Sequence, residues 1–357
     1  MPAPERERIM AALSQVNDPE LGRDIVSLGM VQTVNISEGG EVVVRVRLTT
    51  PACPLKSAIQ KSVADAVRGV PGVTEVKVEL SADVARGRPA DPRLPGVRNI
   101  IAVGSGKGGV GKSTVAVNIA LALARTGARV GLLDADVYGP SIPIMLGLKD
   151  AVVEATEVGG RELMTPVAAH GMRVFSIGFL LSEDRPVIWR GPLLHKAVQQ
   201  FLEDVAWGEL DYLVVDLPPG TGDVQLSLSQ LVPVTAAMVV TTPQDVAFAD
   251  VLRAVRMFEV TKVPVLGVVE NMASFVCPNC KTEHAIFGKG RIERLATEHG
   301  IAYLGALPLD PEVSPQADQG RPIVAAFPDS PAASSLSRIA SQIAARLSVL
   351  SFHGDRD

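Results

Sequence analysis

The sequence predicts an α/β fold, a mostly parallel doubly wound sheet preceded by a small α+β domain, and three observations predict it. From residue 99 onward, short apolar runs alternate with helical patterns, the order of a parallel sheet covered by helices on both faces. The composition, 47% hydrophobic but only 4% aromatic, is rich in Val, Ile and Ala and suits buried parallel strands. Ahead of residue 81 the pattern differs: a hairpin and two helices replace the strand–helix repeat.

In that first part, residues 5–16 read as a helix with Ile9, Ala12, Leu13 and Val16 on one face. Asn17-Asp18-Pro19-Glu20 breaks it. Two strand-like runs follow at 30–36 and 41–48, joined by Ser37-Glu-Gly-Gly40, which supplies hairpin chemistry. Thr49-Thr-Pro-Ala-Cys-Pro54 reads as a loop, 55–67 as an amphipathic helix and 73–80 as a third strand, with Thr74-Glu75 slipping its phase. Residues 1–80 thus form one expected domain. Residues 81–98, with three prolines, two glycines and no period, read as a linker.

The second expected domain spans 99–350, with 351–357 as a tail. Its strands are expected at 100–103, 129–133, 173–177, 212–215, 236–241, 265–269 and 302–304. Its helices are expected at 112–126, 193–205, 223–231, 248–258, 291–299 and 332–347. In such folds ligands sit at the carboxyl ends of the strands, and the main motifs fall there. The chain has 357 residues and a net charge of −5, so no global basic field argues for nucleic acid. No apolar run reaches the roughly 18 residues of a membrane span, and the N-terminus lacks the layout of a secretory signal. Three cysteines do not make a disulfide framework, so a reducing, cytoplasmic setting is expected, in which cysteines serve as ligands or redox groups.

The strongest motif is Gly104-Ser-Gly-Lys-Gly-Gly-Val-Gly-Lys-Ser-Thr114, placed between an expected strand and an expected helix. That context is the one a phosphate-binding loop requires. Glycines at 106, 108, 109 and 111 let backbone N–H groups, including that of Val110, turn onto phosphates, and the helix N-terminus at Lys112, Ser113 and Thr114 adds positive potential. Lys112 would reach the β/γ-phosphates of ATP, and the Ser113 hydroxyl would ligate Mg²⁺. A second lysine, Lys107, lies inside the loop, where the general pattern does not ask for one. Two later strands end on carboxylates: Leu132-Leu-Asp-Ala-Asp136, and Tyr212-Leu-Val-Val-Asp216 followed by Pro218-Pro-Gly-Thr-Gly-Asp223. An Asp at a strand end often caps a helix, but two such ends downstream of a phosphate loop fit a Mg²⁺ shell better.

Cys277-Pro-Asn-Cys280 follows the expected strand at 265–269. A C-x-x-C holds two thiolates close enough to share a metal centre. Three readings stand at this point: a redox pair, half of a zinc site completed by His284, and half of an iron–sulfur site. Two thiols cannot fill the four-thiolate shell of a [4Fe–4S] cluster or a tetrahedral metal, but a two-fold dimer supplies four. Cys53 precedes an expected helix whose N-terminal field would lower its pKa; a buried, inert thiol is the other reading. His170, His195, His299 and His353 have no obvious partners in sequence and read as solvated or helix-surface residues.

Lys107-Gly-Gly-Val-Gly-Lys-Ser-Thr114 resembles the deviant Walker A loop of the MinD, ParA and nitrogenase iron-protein group of dimeric ATPases. The resemblance implies that Lys107 reaches across a homodimer to the partner's nucleotide and that Asp136 positions the attacking water. It also implies Asp134 and Asp216 as Mg²⁺-shell and switch carboxylates, and Asn271 as the adenine-reading residue. With the thiol pair, Asp134-Ala-Asp-Val-Tyr-Gly-Pro-Ser141, Ile188-Trp-Arg-Gly-Pro192, Trp207-Gly-Glu-Leu-Asp-Tyr212, Glu270-Asn-Met272 and Leu307-Pro-Leu-Asp310, the chain resembles the Mrp family of P-loop ATPases. The first domain resembles the iron–sulfur-assembly domain that precedes the ATPase in many bacterial members, with Cys53 as a possible accessory thiol.

The resemblance implies an ATPase that carries a labile iron–sulfur cluster, taken as [4Fe–4S], on Cys277 and Cys280. Cluster scaffold proteins and apo iron–sulfur proteins would be its partners, and nucleic acid and membrane would not. Switch-like segments after Asp134 and Asp216 would let the nucleotide control the cluster. Two other readings remain: a MinD- or ParA-like positioning ATPase, which wants a terminal amphipathic helix or a basic patch, and a zinc-bridged dimeric ATPase. The helix expected at 332–347 carries only Arg338 and Arg346 and reads as core packing.

Overall fold

A computed structural model of the chain describes residues 4–87, 91–180, 191–277, 279–280, 282–288 and 290–354, with backbone alone at 191–195, 223–224, 228 and 352–354. Ile188, Trp189 and Arg190 of the resembling motifs lie outside the described residues, as do the side chains of Asp223, His195 and His353. The chain divides into two compact units, one of residues 1–85 with 344–357 and one of residues 86–343.

In the first unit, strands Val31–Ile36 and Glu41–Leu48 form an antiparallel hairpin, and Glu75–Ala82 adds to it in parallel after helix Lys56–Arg68. The hairpin turn closes through Gly40, whose φ of +83° and close approach to the Gly72 carbonyl leave no room for a side chain. Val42, Val44, Val46 and Leu48 alternate inward onto Ile9, Leu13, Ile59, Val63 and Val67. The expected phase slip at Thr74-Glu75 falls where the third strand begins, and the strand alternates from Glu75 to Val78 before three half-buried residues, Val78–Leu80, break the pattern. The first helix, Arg6–Leu13, ends three residues earlier than expected, leaving Val16 outside it, and at Asn17–Glu20 Asp18 Oδ1 accepts from the N–H groups of Glu20 and Leu21 in a turn.

The second unit is built on an eight-stranded sheet. Its strands in chain order are β1 (Val97–Gly104), β2 (Val130–Asp134), β3 (Val167–Ala169), β4 (Met172–Ser176), β5 (Leu210–Asp216), β6 (Ala236–Thr241), β7 (Val265–Glu270) and β8 (Tyr303–Ala306). The spatial order is β3-β4-β2-β5-β1-β6-β7-β8, parallel throughout except for β3, which pairs antiparallel with β4 at the edge. β1 sits in the middle and the chain winds away from it on both sides, so its carboxyl end opens into the crevice where such sheets bind ligands. β1, β2, β5 and β6 are almost entirely buried, as expected of strands covered on both faces.

Sequence patterning found every parallel strand to within a few residues. It missed the hairpin of Ala155–Val158 with Arg161–Met164, the edge strand β3 and the pair Phe275–Val276 with Glu283–His284. Each spans two to four mostly exposed or half-buried residues, too short to show a period. The last helix, Pro331–Gly354, buries Leu336, Ile339, Ala340 and Ile343, so its apolar stripe packs a core. Among the described residues no helix is long and apolar enough to cross a membrane.

The central strand also carries the stability of the crevice. Ile101 of β1 is fully buried, and Ile101→Ala should cost about 2–5 kcal/mol, read as a lower urea midpoint with an unchanged slope.

Candidate functional site

β1 ends at Gly104, and the loop that follows turns into helix α1 (Lys112–Arg125) through Gly111, which sits left-handed at φ +81°. A Cβ on Gly106 would strike the backbone and Cβ of Asp250, and one on Gly111 would strike the Asn271 carboxamide, so the loop path demands glycine at both. Among the described residues no protein acceptor takes the backbone N–H groups of Gly108, Gly109, Val110, Gly111 or Lys112. Those donors and the helix N-terminus make the anion cradle that the sequence predicts. A cleft of about 210 Å³ opens over it, lined by loop residues with Asp136, Ser141, Met145 and Pro219.

The strand-end carboxylates meet at this cradle. Asp134 of β2 and Asp216 of β5 are register partners on adjacent strands, and Asp216 pairs with Val103 of β1 on its other side. Lys112 is only 6% exposed; its ammonium donates to Asp216 Oδ1 at 2.6 Å and lies 3.5 Å from Asp136 Oδ2 and 3.3 Å from the Ser113 hydroxyl. Asp134 Oδ2 accepts from the Ser176 hydroxyl at 2.9 Å and from the Ile142 N–H, and its Oδ1 accepts from the Asp136 N–H. Burial, then the Asp216 charge, push the Asp134 carboxyl well above the usual carboxylate range. Asp216 is also raised by burial, against the pull of Lys112. Asp216 Oδ2 is buried without a hydrogen-bond partner among the described residues. An orphan carboxylate oxygen beside the Ser113 hydroxyl is a donor set that fits Mg²⁺. Lys107 is half-buried on the cleft wall and makes no ion pair among the described residues.

Asn271 lies directly after β7. Its Nδ2 donates to the Val110 carbonyl of the loop at 2.8 Å, and its Oδ1 accepts from the Met272 N–H at 3.0 Å. Five residues past Met272 comes Cys277, half-buried, whose N–H donates to the Thr282 carbonyl across the Phe275–Val276/Glu283–His284 hairpin. Cys280 is exposed at the hairpin tip, with its sulfur 3.3 Å from the Thr282 hydroxyl. That contact, helped by the Thr282 backbone and Cys277, lowers its pKa to about 7. Among the described residues no group of three or more His, Cys, Asp or Glu is gathered to hold a metal, and His284 does not close a site with the two thiols.

Cys53 follows the buried, inert one of its two readings. It is buried in the core of the first unit, and burial pushes its pKa up to about 11 instead of a helix N-terminus lowering it, because helix Lys56–Arg68 begins three residues later and desolvation dominates. His299 is not purely solvated, since its ring lies 5.7 Å from that of Phe248. The contacts that sequence reasoning missed are Ser176 on Asp134, and Asn271 on the loop itself; the wrong-looking close approach of Gly111 to Asn271 exists only in three dimensions.

Residues 96–344 match the ParA family described as NUBPL iron-transfer P-loop NTPase, and residues 6–79 match the family described as iron–sulfur cluster assembly protein. The chain is 54% identical over 343 residues to the iron–sulfur cluster carrier protein of Deinococcus radiodurans, covering 96% of each. Among solved structures it is similar to the nucleotide-binding protein of Archaeoglobus fulgidus in complex with ADP, with cobalt found by PIXE. There the identity is 43% and the TM-score 0.58, over 64% of this chain and 89% of that one. It also shares the fold of the septum site-determining protein MinD from Pyrococcus horikoshii complexed with Mg-ADP, at 20% identity and a TM-score of 0.50 over 68% and 94% of the two chains.

The buried carboxyls give the nucleotide-free protein a pH signature. Asp134 keeps in the fold a proton that the unfolded chain releases near pH 4, so stability falls as pH rises toward the raised pKa. Asp134→Asn removes that loss. Its melting temperature relative to the unsubstituted protein should climb between about pH 5 and pH 9, measured by thermal denaturation without nucleotide.

Proposed function

This chain belongs to the iron-transfer P-loop NTPase family, and from that premise we propose that it is an ATP-hydrolysing carrier of iron–sulfur clusters. It would work as a homodimer that holds a labile cluster between its two chains and passes it to apoproteins. The observation that carries the reading is the thiol pair. Cys277 and Cys280 stand on a hairpin in the same unit as the phosphate loop, half-buried and exposed, with no third ligand gathered among the described residues. One chain offers two thiolates and a [4Fe–4S] cluster takes four, so a second copy completes the shell. A thiol lowered to about 7 carries a substantial thiolate fraction at neutral pH, the form that binds metal.

On the nucleotide side, the N–H groups of residues 108–112 would hold the phosphates, with the Lys112 ammonium leaving Asp216 for the β/γ-oxygens. Ser113 and Asp216 would hold Mg²⁺, and the ion would supply positive charge against the charge that develops on the phosphates. Asp136, fixed by the Tyr138 N–H on Oδ1, would orient the attacking water, and Asn271 would face the adenine. Lys107, free of ion pairs among the described residues, would extend to the nucleotide of the second copy. Scaffold and client proteins would meet the exposed thiol hairpin.

Two measurements separate the halves of this reading. Lys112→Ala should lower ATP turnover about 100-fold or more, measured as phosphate release, and unchanged turnover would sink the nucleotide assignment. Anaerobic reconstitution of the double variant Cys277→Ala with Cys280→Ala should leave iron and sulfide at background, whereas the unsubstituted dimer should hold one cluster per two chains. A normal metal content in the double variant would remove the thiols from the site.

A further inference from the structure

We propose that Asn271 is a positioning residue that couples the phosphate loop to the thiol pair: its carboxamide holds a strained elbow at Met272 against the loop, and occupation of the loop releases that elbow and moves Cys277. The inference rests on Cys277 and Cys280 being the cluster ligands, and it assigns the route by which nucleotide reaches them.

The elbow is unusual. Met272 has φ +58°, one of three non-glycine residues in the left-handed region among the described residues, and the only one of the three that adjoins the nucleotide loop's contacts. A side chain disfavours that region, so the surroundings must impose it. Asn271 supplies the constraint with both ends of one amide. Its Oδ1 takes the Met272 N–H at 3.0 Å, and its Nδ2 gives to the Val110 carbonyl at 2.8 Å. The backbone turn at 272 is therefore referenced to the phosphate loop and not to β7 alone.

What lies on either side is firm. Before the elbow, the Leu307 N–H donates to the Glu270 carbonyl, and the Tyr303 hydroxyl donates to Glu270 Oε2 at 2.7 Å. After it, the Ala273 N–H donates to the Leu307 carbonyl and the Leu309 N–H to the Ser274 carbonyl, and Phe275 pairs with His284 in the cysteine hairpin. Residues 273–277 and 307–309 thus form one braced piece, joined to the end of β7 by the Leu307 N–H on the Glu270 carbonyl, so a change in torsion at 272 acts on Cys277 through that piece as a whole. Leu307-Pro-Leu-Asp310, a motif without a place in the nucleotide site, is the brace.

Nucleotide acts on the near end. Turning the loop N–H groups onto phosphates reorients the peptide planes around Val110, and a base facing Asn271 competes for its one amide nitrogen. Either change weakens the tether, and Met272 then has a more favourable conformation to relax into. This path is shorter than one through the segments after Asp134 and Asp216, which the sequence alone suggests.

The test uses the full-length, cluster-free, reduced protein under anaerobic conditions, with N-ethylmaleimide labelling at Cys277 followed by peptide mass spectrometry. With Mg-ADP or a non-hydrolysable ATP analogue, the Cys277 labelling rate should change about fivefold or more from the nucleotide-free rate, the shift that relief of one left-handed residue can drive. Met272→Gly, which adopts the same torsion without penalty, should bring that ratio below about twofold while ATP turnover stays at the unsubstituted level. Asn271→Asp keeps the acceptor for Met272 but not the donor to Val110, and it should also flatten the ratio at saturating nucleotide. A Cys277 rate that ignores nucleotide in the unsubstituted protein, or a full ratio retained in Met272→Gly, overturns the proposal. Because no cluster is present, a failed reconstitution would leave this result standing and would count only against the carrier reading.

Discussion

One ammonium among three carboxylates governs the nucleotide crevice. Lys112 is withdrawn from water, and its nearest partners, Asp216 and Asp136, approach from two different strand ends. Removing such ions from water costs several kcal/mol each, which close and well-directed contacts must offset. The geometry therefore depends on the register that sets Asp134 beside Asp216 and Asp216 beside Val103. A one-residue slip of β2 against β5 would turn a carboxylate out of the site and bring an apolar neighbour in. The apolar runs of β1, β2 and β5 fix that register, so the sheet core and the charged site are one constraint seen from two sides. The excess negative charge favours a proton on Asp134, whose burial, with the Asp216 charge beside it, raises its pKa well above the usual carboxylate range. A polyphosphate would add to the same excess, which explains why Lys112 and backbone N–H groups alone are an incomplete set of counter-charges.

The three sulfurs show how position decides chemistry. Cys53 faces a packed interior of valines and isoleucines, where the thiolate is disfavoured. Cys280 stands at the tip of a hairpin with the Thr282 hydroxyl and backbone turned to it, where the thiolate is favoured. A ligand in water that is already ionised can accept a metal with little proton release and surrender it without unfolding anything. A carrier needs both properties, and a structural metal site, with its ligands closed in the core, has neither.

Much of this was legible in the sequence because it is written in periods and in fixed spacings. Buried parallel strands appear as runs such as Tyr212-Leu-Val-Val, and the glycine spacing around Lys112 specifies a loop that nothing else needs. For Cys53 the sequence left two readings open, and depth decides between them, since a residue just ahead of a helix feels the helix field only if it is not buried. The state of Asp134 was not legible, because its pKa is raised first by a burial that residue type does not announce and then by a second carboxylate set beside it by a pairing 82 positions away in the chain. Asn271 could be given a role only by resemblance; its contact with Val110 joins residues 161 apart, and the left-handed torsion that follows at Met272 has no signature in residue type. What escaped was a long-range contact, a torsion, or a strand of two to four residues too short to show a period.

The two ends of the second unit's chemistry are joined by less chain than the fold requires. Asn271 touches the phosphate loop and Cys277 is the first thiol of the pair, so only five residues lie between a loop contact and the proposed cluster ligand. If loop occupancy shifts the thiols, linkage makes the effect reciprocal, and a cluster that fixes Cys277 must alter nucleotide affinity by the same factor. A cluster bridging two chains fixes both copies of that residue at once, so each nucleotide site would sense whether the dimer is loaded. Under the proposed function a homodimer would answer more than a shortage of thiols: a small torsional change at one elbow, repeated by symmetry, would act on all four ligands of the shared cargo together.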